Sequence, residues 1–286
     1  MTDTAASAEP RRVYTGVIHL HSAYSHDGRD SIPDLVRTLA GQGFDFCILT
    51  DHFEEFDARA LDRYRAEIAA VNANGDFMVV PAIEVEFESV HVILVPVGSF
   101  AEIQGVVAAR DLSRSEAVKL LAHPTKYDLE TTVTLLRDHE FDGVELWNQM
   151  ADGKYAPPRD HLRALLPRIR PDLRGHFFGG DIHDSRHAVA NYLTIPADGP
   201  LTVDHVIEAL RRRRYVSHSR LTGLAVSAEQ PAGELVAWLE TAARSRSLRA
   251  TLMATLAHIF KGIYHLLPRR VQKRINSFKN SVKSRL

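Results

Sequence analysis

A single cysteine stands among 286 residues. That scarcity excludes a disulfide framework, a zinc ribbon and a Cys-x-x-Cys redox pair, since each needs at least two thiols. No apolar run approaches the roughly 18 residues of a membrane span. The opening stretch Met1 to Pro10 has neither a basic start nor an apolar core, so no secretory signal is expected. Acidic residues are absent after Glu240. The formal net charge of −1 therefore averages two unlike parts. Residues 1–240 carry 36 Asp and Glu against 24 Lys and Arg, a net −12, and residues 241–286 carry +11. These absences lead to the expectation of a cytoplasmic protein with an acidic folded body and a basic end.

Histidine is what the chain has in quantity, at 15 residues. It is the commonest metal ligand and the usual acid–base group near neutral pH, so its placement matters more than its number. Residues 1–12 read as a disordered lead-in. From Val13 to about residue 226, short β-rich runs alternate with amphipathic helical stretches. Strands are expected at 13–18, 44–49, 77–85, 90–95, 117–122, 141–146, 177–180, 192–195 and 215–217. Helices are expected at 33–40, 58–72, 130–138, 160–169 and 202–211. Several strands are apolar on both faces, as Cys47-Ile48-Leu49 shows, which suits a parallel sheet covered by helices. The alternation predicts an α/β fold, and its length suits one barrel better than two small domains.

The ligand-type side chains fall at the ends of these strands. The first runs into His19-Leu-His21 and then His26-Asp27-Gly28, and the second into Thr50-Asp51-His52. Later ones carry Glu84, His91, His123-Pro124, Glu145 and Asp181-Ile-His183. In an α/β barrel, strand C-termini converge on one face, so residues far apart in sequence would share one pocket. His-x-His on a strand turns both rings the same way, and Asp181-x-His183 repeats that geometry. Imidazole with carboxylate suits Zn, Mn or Fe without a thiolate. A lone cluster of this kind is usually structural, but six at six strand ends point to a multinuclear metal site.

His19-Leu-His21-Ser22, Asp27-Gly28, Thr50-Asp51-His52, Glu84, His91, Ala122-His123-Pro124 and Asp181-Ile182-His183 resemble, in order, the motifs of the PHP (polymerase and histidinol phosphatase) superfamily. The resemblance covers roughly residues 13–226 and implies a distorted (βα)7 TIM-like barrel followed by a basic amphipathic helical tail at 227–286. It also implies two or three divalent ions. His19, His21, Glu84 and Asp181 would hold the first, and Glu84 would bridge to a second completed by His91 and His123. Asp27, His52 and His183 would hold the third. The chain departs from the pattern at Val17, where the family often has Asp, and at Asp27, where some members have His. Glu84 and His91 also lie close together, which requires a short loop.

Such a site hydrolyses a phosphate ester with hydroxide from a water that the metals acidify. The expected substrate is a small phosphorylated metabolite or nucleotide, with Glu84 and Asp181 central to catalysis. His26, His187 and His218 are candidates to protonate the leaving group. Lys126 and Arg186 are candidates for the substrate phosphate, and Arg186 is also counted with the catalytic group. Glu145 matches no ligand position, so a supporting or structural role is expected, and Cys47 is expected in the core. Rival readings are a 3′–5′ exonuclease, a metal-dependent amidohydrolase and a non-catalytic metal-binding scaffold. The acidic body argues against long nucleic acids, and no lysine stands in an obvious bridging position. In the tail, apolar seams at 248–267 and 271–282 are wrapped by basic residues. This pattern suits either an anionic membrane surface, at the inner face, or packing on the body or a second subunit.

Overall fold

In the computed structural model, which describes residues 12–75 and 77–244, the chain enters through β1 (Arg12–Ile18). This strand starts exposed and ends fully buried. Ser31 then caps α1 (Ile32–Gly41) by accepting from the Asp34 backbone N–H, with Pro33 in the first turn where its missing N–H costs nothing. Strand β2 (Phe46–Leu49) is buried along its length, and Asp57 caps α2 (Ala58–Asn72). Strands β3 (Met78–Pro81), β4 (Ile83–Phe87) and β5 (Val90–Val95) follow, then α3 (Phe100–Ala109) and β6 (Val118–Leu121). Next come α4 (Leu129–Asp138), β7 (Gly143–Asn148), α5 (Arg159–Leu165) and β8 (Phe177–Gly179). The described chain ends with β9 (Asn191–Ala197), α6 (Val203–Arg211), β10 (Val216–Ser219), β11 (Ala225–Ser227) and α7 (Ala232–Arg244).

The strands form two mixed sheets. One has the order β11-β10-β9-β1-β2-β3, with β1, β2 and β3 parallel and β9, β10 and β11 antiparallel to their neighbours. The other has the order β4-β5-β6-β7-β8, in which β5 runs antiparallel to both β4 and β6. One apolar cluster draws Ile18, Phe46, Ile48 and Val80 from the first sheet and Ile93, Val95, Leu120 and Phe177 from the second, with Val206 and Leu210 of α6. The opposite strand faces pack under the other helices, through residues such as Leu35, Tyr64, Val106 and Leu162. Both faces of the central strands are therefore buried.

The closed, distorted (βα)7 barrel that the resemblance implies is not formed among the described residues. The stretch 77–85, which reads as one strand, is two: Ala82 separates β3 in one sheet from β4 in the other. Between the sheets the ladder shrinks to isolated bridges, Leu20 with Ile182 and His52 with Glu84. The physical reason lies in the site residues. His19 and Asp181 adopt φ of 71° and 50°, and backbone of that kind cannot continue a β-ladder. Helix α3, strand β11 and helix α7 are additions to the expected elements, and α7 buries Ala232, Leu235 and Leu239. Of the lead-in expected at 1–12 only Arg12 is described, as the start of β1; of the tail expected at 227–286, α7 lies within the described residues and everything from 245 onward lies outside them. Among the described residues no helix is long and apolar enough to cross a membrane.

Candidate metal centre

The seam between the sheets gathers the histidines and carboxylates. The His21 N–H donates to the Ile182 carbonyl at 2.8 Å, and the Ile182 N–H to the His19 carbonyl at 3.2 Å. His19-Leu-His21 and Asp181-Ile-His183 thus run side by side. The Glu84 N–H donates to the Asp51 carbonyl at 3.0 Å, which sets Glu84 beside His52. Glu84 and His91 sit on one face of the β4–β5 hairpin, where Glu86 pairs with His91 in the register. Glu88 and Ser89, both at positive φ, close that hairpin in two residues, the short loop that the spacing requires.

Nine side chains converge there. Four groups have donor atoms within 4.8 Å of one another: His21, Asp27, His52 and His183; His19, His123 and Asp181; His19, His21 and Glu84; and His52, Glu84 and His91. Glu84 is shared. Its Oε1 lies 3.4 Å from His19 Nε2, 3.0 Å from His91 Nδ1 and 2.9 Å from His123 Nε2. Its Oε2 lies 3.3 Å from His21 Nε2 and 3.4 Å from His52 Nδ1. Asp181 Oδ1 lies 3.5 Å from His19 Nε2 and 3.4 Å from His21 Nε2, and Asp27 Oδ2 lies 2.9 Å from His183 Nε2.

The donor set fits divalent ions. His19 Nε2, His21 Nε2 and Glu84 Oε2 are buried without a hydrogen-bond partner among the described residues. A buried polar atom left unsatisfied costs about 1–3 kcal/mol, so three facing one another call for an ion between them. Separations of 3.3 to 3.5 Å among these atoms match the roughly 3.3 Å edge of a tetrahedron with bonds of about 2.0–2.1 Å. The ring nitrogens facing away are engaged. The Asp181 carbonyl accepts from His183 Nδ1 at 2.8 Å, and His21 Nδ1 faces Ser25 Oγ at 3.4 Å. Ser25 Oγ also accepts from the His52 N–H and donates to Asp51, which takes the Ser22 N–H and hydroxyl as well.

Electrostatics agree. Burial alone would push the His19 imidazole down, but Glu145, Glu84 and Asp181 around it hold it well above its ordinary value. Burial would push the Glu84 and Asp181 carboxyls up, yet His19 and its neighbours hold both well below theirs. Burial carries His21 down to about 4. Buried acids that stay ionised demand compensating positive charge.

A cavity of about 330 Å³ opens on the donors. Lys126 lines it, with Nζ 3.2 Å from Asp181 Oδ2. His26 stands at the rim with its side chain 66% exposed and Nδ1 2.9 Å from Glu55 Oε1. Arg186 is not among the lining residues, and its Nε and Nη2 donate to Asp184 at 2.9 and 2.6 Å. His187 and His218 do not line it either, and His218 meets Thr194 and Tyr192 on the first sheet. Cys47 and Val17 are buried in the core. Three lining carboxylates, Glu54, Glu55 and Glu86, were not singled out from sequence. Tyr127, whose hydroxyl accepts from the His91 N–H and lies 3.0 Å from His123 Nδ1, also escaped notice, although its place four residues after His123 was a usable signal.

A family model for the PHP domain matches residues 18–178, and the chain belongs to that family. A search of curated proteins finds no match. Among solved structures the chain is similar to a two-domain protein of Bacteroides vulgatus containing a predicted PHP-like metal-dependent phosphoesterase: 15% identity over 73% of this chain and 65% of that one, TM-score 0.48. It is also similar to PsfC of Pseudomonas syringae (13%, 82% and 99%, 0.45) and to the lesion-specific endonuclease Q of Pyrococcus furiosus (14%, 70% and 56%, 0.49). The match therefore spans about two thirds of the Bacteroides protein and just over half of the Pyrococcus one.

Proposed function

We propose that this chain is a divalent-metal-dependent phosphoesterase acting on a small phosphorylated molecule or nucleotide. The observation that carries this reading is the convergence of nine imidazole and carboxylate donors, with unpartnered buried atoms among them, seven of the nine lining one cavity. His19, His21, Asp27, His52, Glu84, His91, His123, Asp181 and His183 would hold two or three ions, with Glu84 shared because its two oxygens reach different histidines. When bound, the ions acidify a water and neutralise charge on the phosphoryl oxygens.

The chain's own groups do the rest. Among the described residues Lys126 is the only Lys or Arg that lines the cavity, so it attracts the phosphate and holds it over Asp181. His26, solvent-exposed at the rim, exchanges a proton with the leaving oxygen. Glu54, Glu55 and Glu86 put negative charge at the mouth, which repels further phosphates and favours a compact ester over a long nucleic acid.

A hydrolysis screen with Mn²⁺, Zn²⁺ or Fe²⁺ over phosphomonoesters, cyclic nucleotides and single-stranded DNA tests the reading. Turnover of a small ester that disappears in Glu84→Ala and Asp181→Ala is the expected result. Turnover surviving both substitutions, or none with any metal and ester, overturns it.

A further inference from the structure

Within the donor set, His19, His123 and Asp181 form a group apart. Their φ values are 71°, 27° and 50°, and no other of the nine donors has positive φ. Such backbone is strained for any residue with a Cβ, and it persists only where the surroundings fix it. The three come from the ends of β1, β6 and β8, so no local sequence effect explains their common conformation.

What they share is a pair of buried residues on β7, Glu145 and Asn148. Glu145 Oε1 accepts from His19 Nδ1 at 3.1 Å, which keeps a proton on Nδ1 and leaves Nε2 as the nitrogen that faces the donors. Glu145 Oε2 accepts from the His123 backbone N–H at 2.5 Å and from Asn148 Nδ2 at 3.1 Å. The Asn148 amide has one possible orientation. Its Oδ1 accepts the N–H groups of Met150 and Ala151 at 3.0 and 2.8 Å, so Nδ2 must point back. Nδ2 then also donates to Asp181 Oδ2 at 3.2 Å, and Oδ1 is the oxygen left to face His19 and His21.

Two local features make this contact possible. Residues three apart on a regular strand point to opposite faces, but the β7–β8 register shifts between Glu145 and Trp147, which brings both side chains to one place. Gly179 supplies the room, since a Cβ there would come 1.6 Å from Glu145 Oε1.

We infer that the Glu145–Asn148 pair is a positioning device that sets His19, His123 and Asp181 in place before any cation arrives, and so makes this buried end of the donor set bind divalent ions most tightly and fill first. The inference rests on the metal-site reading above and adds an order of occupancy and the residues that impose it. Removing an outer partner of a metal ligand lowers affinity by about 10–100-fold.

The test is calorimetric titration of the full-length chain with Mn²⁺ after chelator stripping, in wild type, Glu145→Gln and Asn148→Ala. Circular dichroism and melting of the metal-free proteins report on folding. The expected result is a tight and a weaker class of sites in wild type, with the tight class weakened about 10–100-fold in Glu145→Gln and less in Asn148→Ala, and the weaker class unmoved. If Glu145→Gln does not fold, Asn148→Ala carries the test, because it leaves Glu145 on His19 and His123. Folded variants that bind Mn²⁺ as wild type does overturn this inference alone. A wild type that binds no Mn²⁺ overturns the metal-site reading and this inference with it.

Discussion

The two ends of the donor set are built differently. His19, His123 and Asp181 are all buried; Glu145 holds the His19 ring and the His123 backbone N–H, Asn148 holds Asp181, and Tyr127 meets His123 Nδ1. His21, Asp27, His52 and His183 form the other end, where only His21 is buried and the Asp27 side chain is 35% exposed. There the support is looser: a 3.4 Å contact from His21 to Ser25, a bond from His183 to a backbone carbonyl, and stacking of the His21 ring between those of His52 and His183. The difference teaches that ligand type alone does not set how a position behaves. A rigid, desolvated group favours a fixed coordination shell, whereas an open one suits an ion that exchanges or meets substrate.

Glu84 links the two ends, its Oε1 reaching His19 and His123 and its Oε2 reaching His21 and His52, so Glu84→Ala should abolish the contrast. Its expected cost is on the order of 10³-fold or more in kcat, with both classes of metal site lost, as steady-state kinetics and metal analysis would show. A second prediction concerns a buried histidine outside the site. His176 donates from Nε2 to the Leu173 carbonyl, and burial pushes it down to about 4, whereas His19 among three carboxylates is pushed up. A depressed folded value means that stability present above pH 6.5, the ordinary histidine value, is lost as pH falls towards 4. At about 1.4 kcal/mol per pH unit, denaturant titrations should find about 3 kcal/mol of acid sensitivity in wild type that is missing from His176→Gln.

Smaller effects separate substrate binding from metal binding. Lys126→Ala should lower kcat/KM by about 10–100-fold, chiefly through KM, with metal content unchanged. A fall in metal content instead would assign Lys126 to Asp181 rather than to phosphate. Asp27→Asn should weaken only the more exposed metal class, by about tenfold, in the same Mn²⁺ titration. Equal weakening of both classes would erase the distinction between the two ends.

Much of the site was legible because its chemistry sits in short motifs. His19-Leu-His21, Thr50-Asp51-His52 and Asp181-Ile-His183 each pair residue type with a spacing that only a strand end explains. The fold was less legible. Nothing in Val79-Val80-Pro81-Ala82-Ile83 announces that the chain changes sheets at Ala82, because the residues on either side of it are all apolar. Closure depends on backbone conformation at His19 and Asp181, which periodicity does not report. Helix α3 (Phe-Ala-Glu-Ile-Gln-Gly-Val-Val-Ala-Ala) is too evenly apolar to show a helical stripe. The supporting residues were hidden for another reason. Glu145 and Asn148 share a target only through a register shift, which no spacing rule would supply.

Elemental analysis of the full-length chain, purified from metal-supplemented culture, tests the central claim most directly. Two or three divalent transition-metal ions per wild-type chain, falling sharply in Glu84→Ala, is the predicted result. Wild-type protein that is folded yet carries no such ion would contradict it.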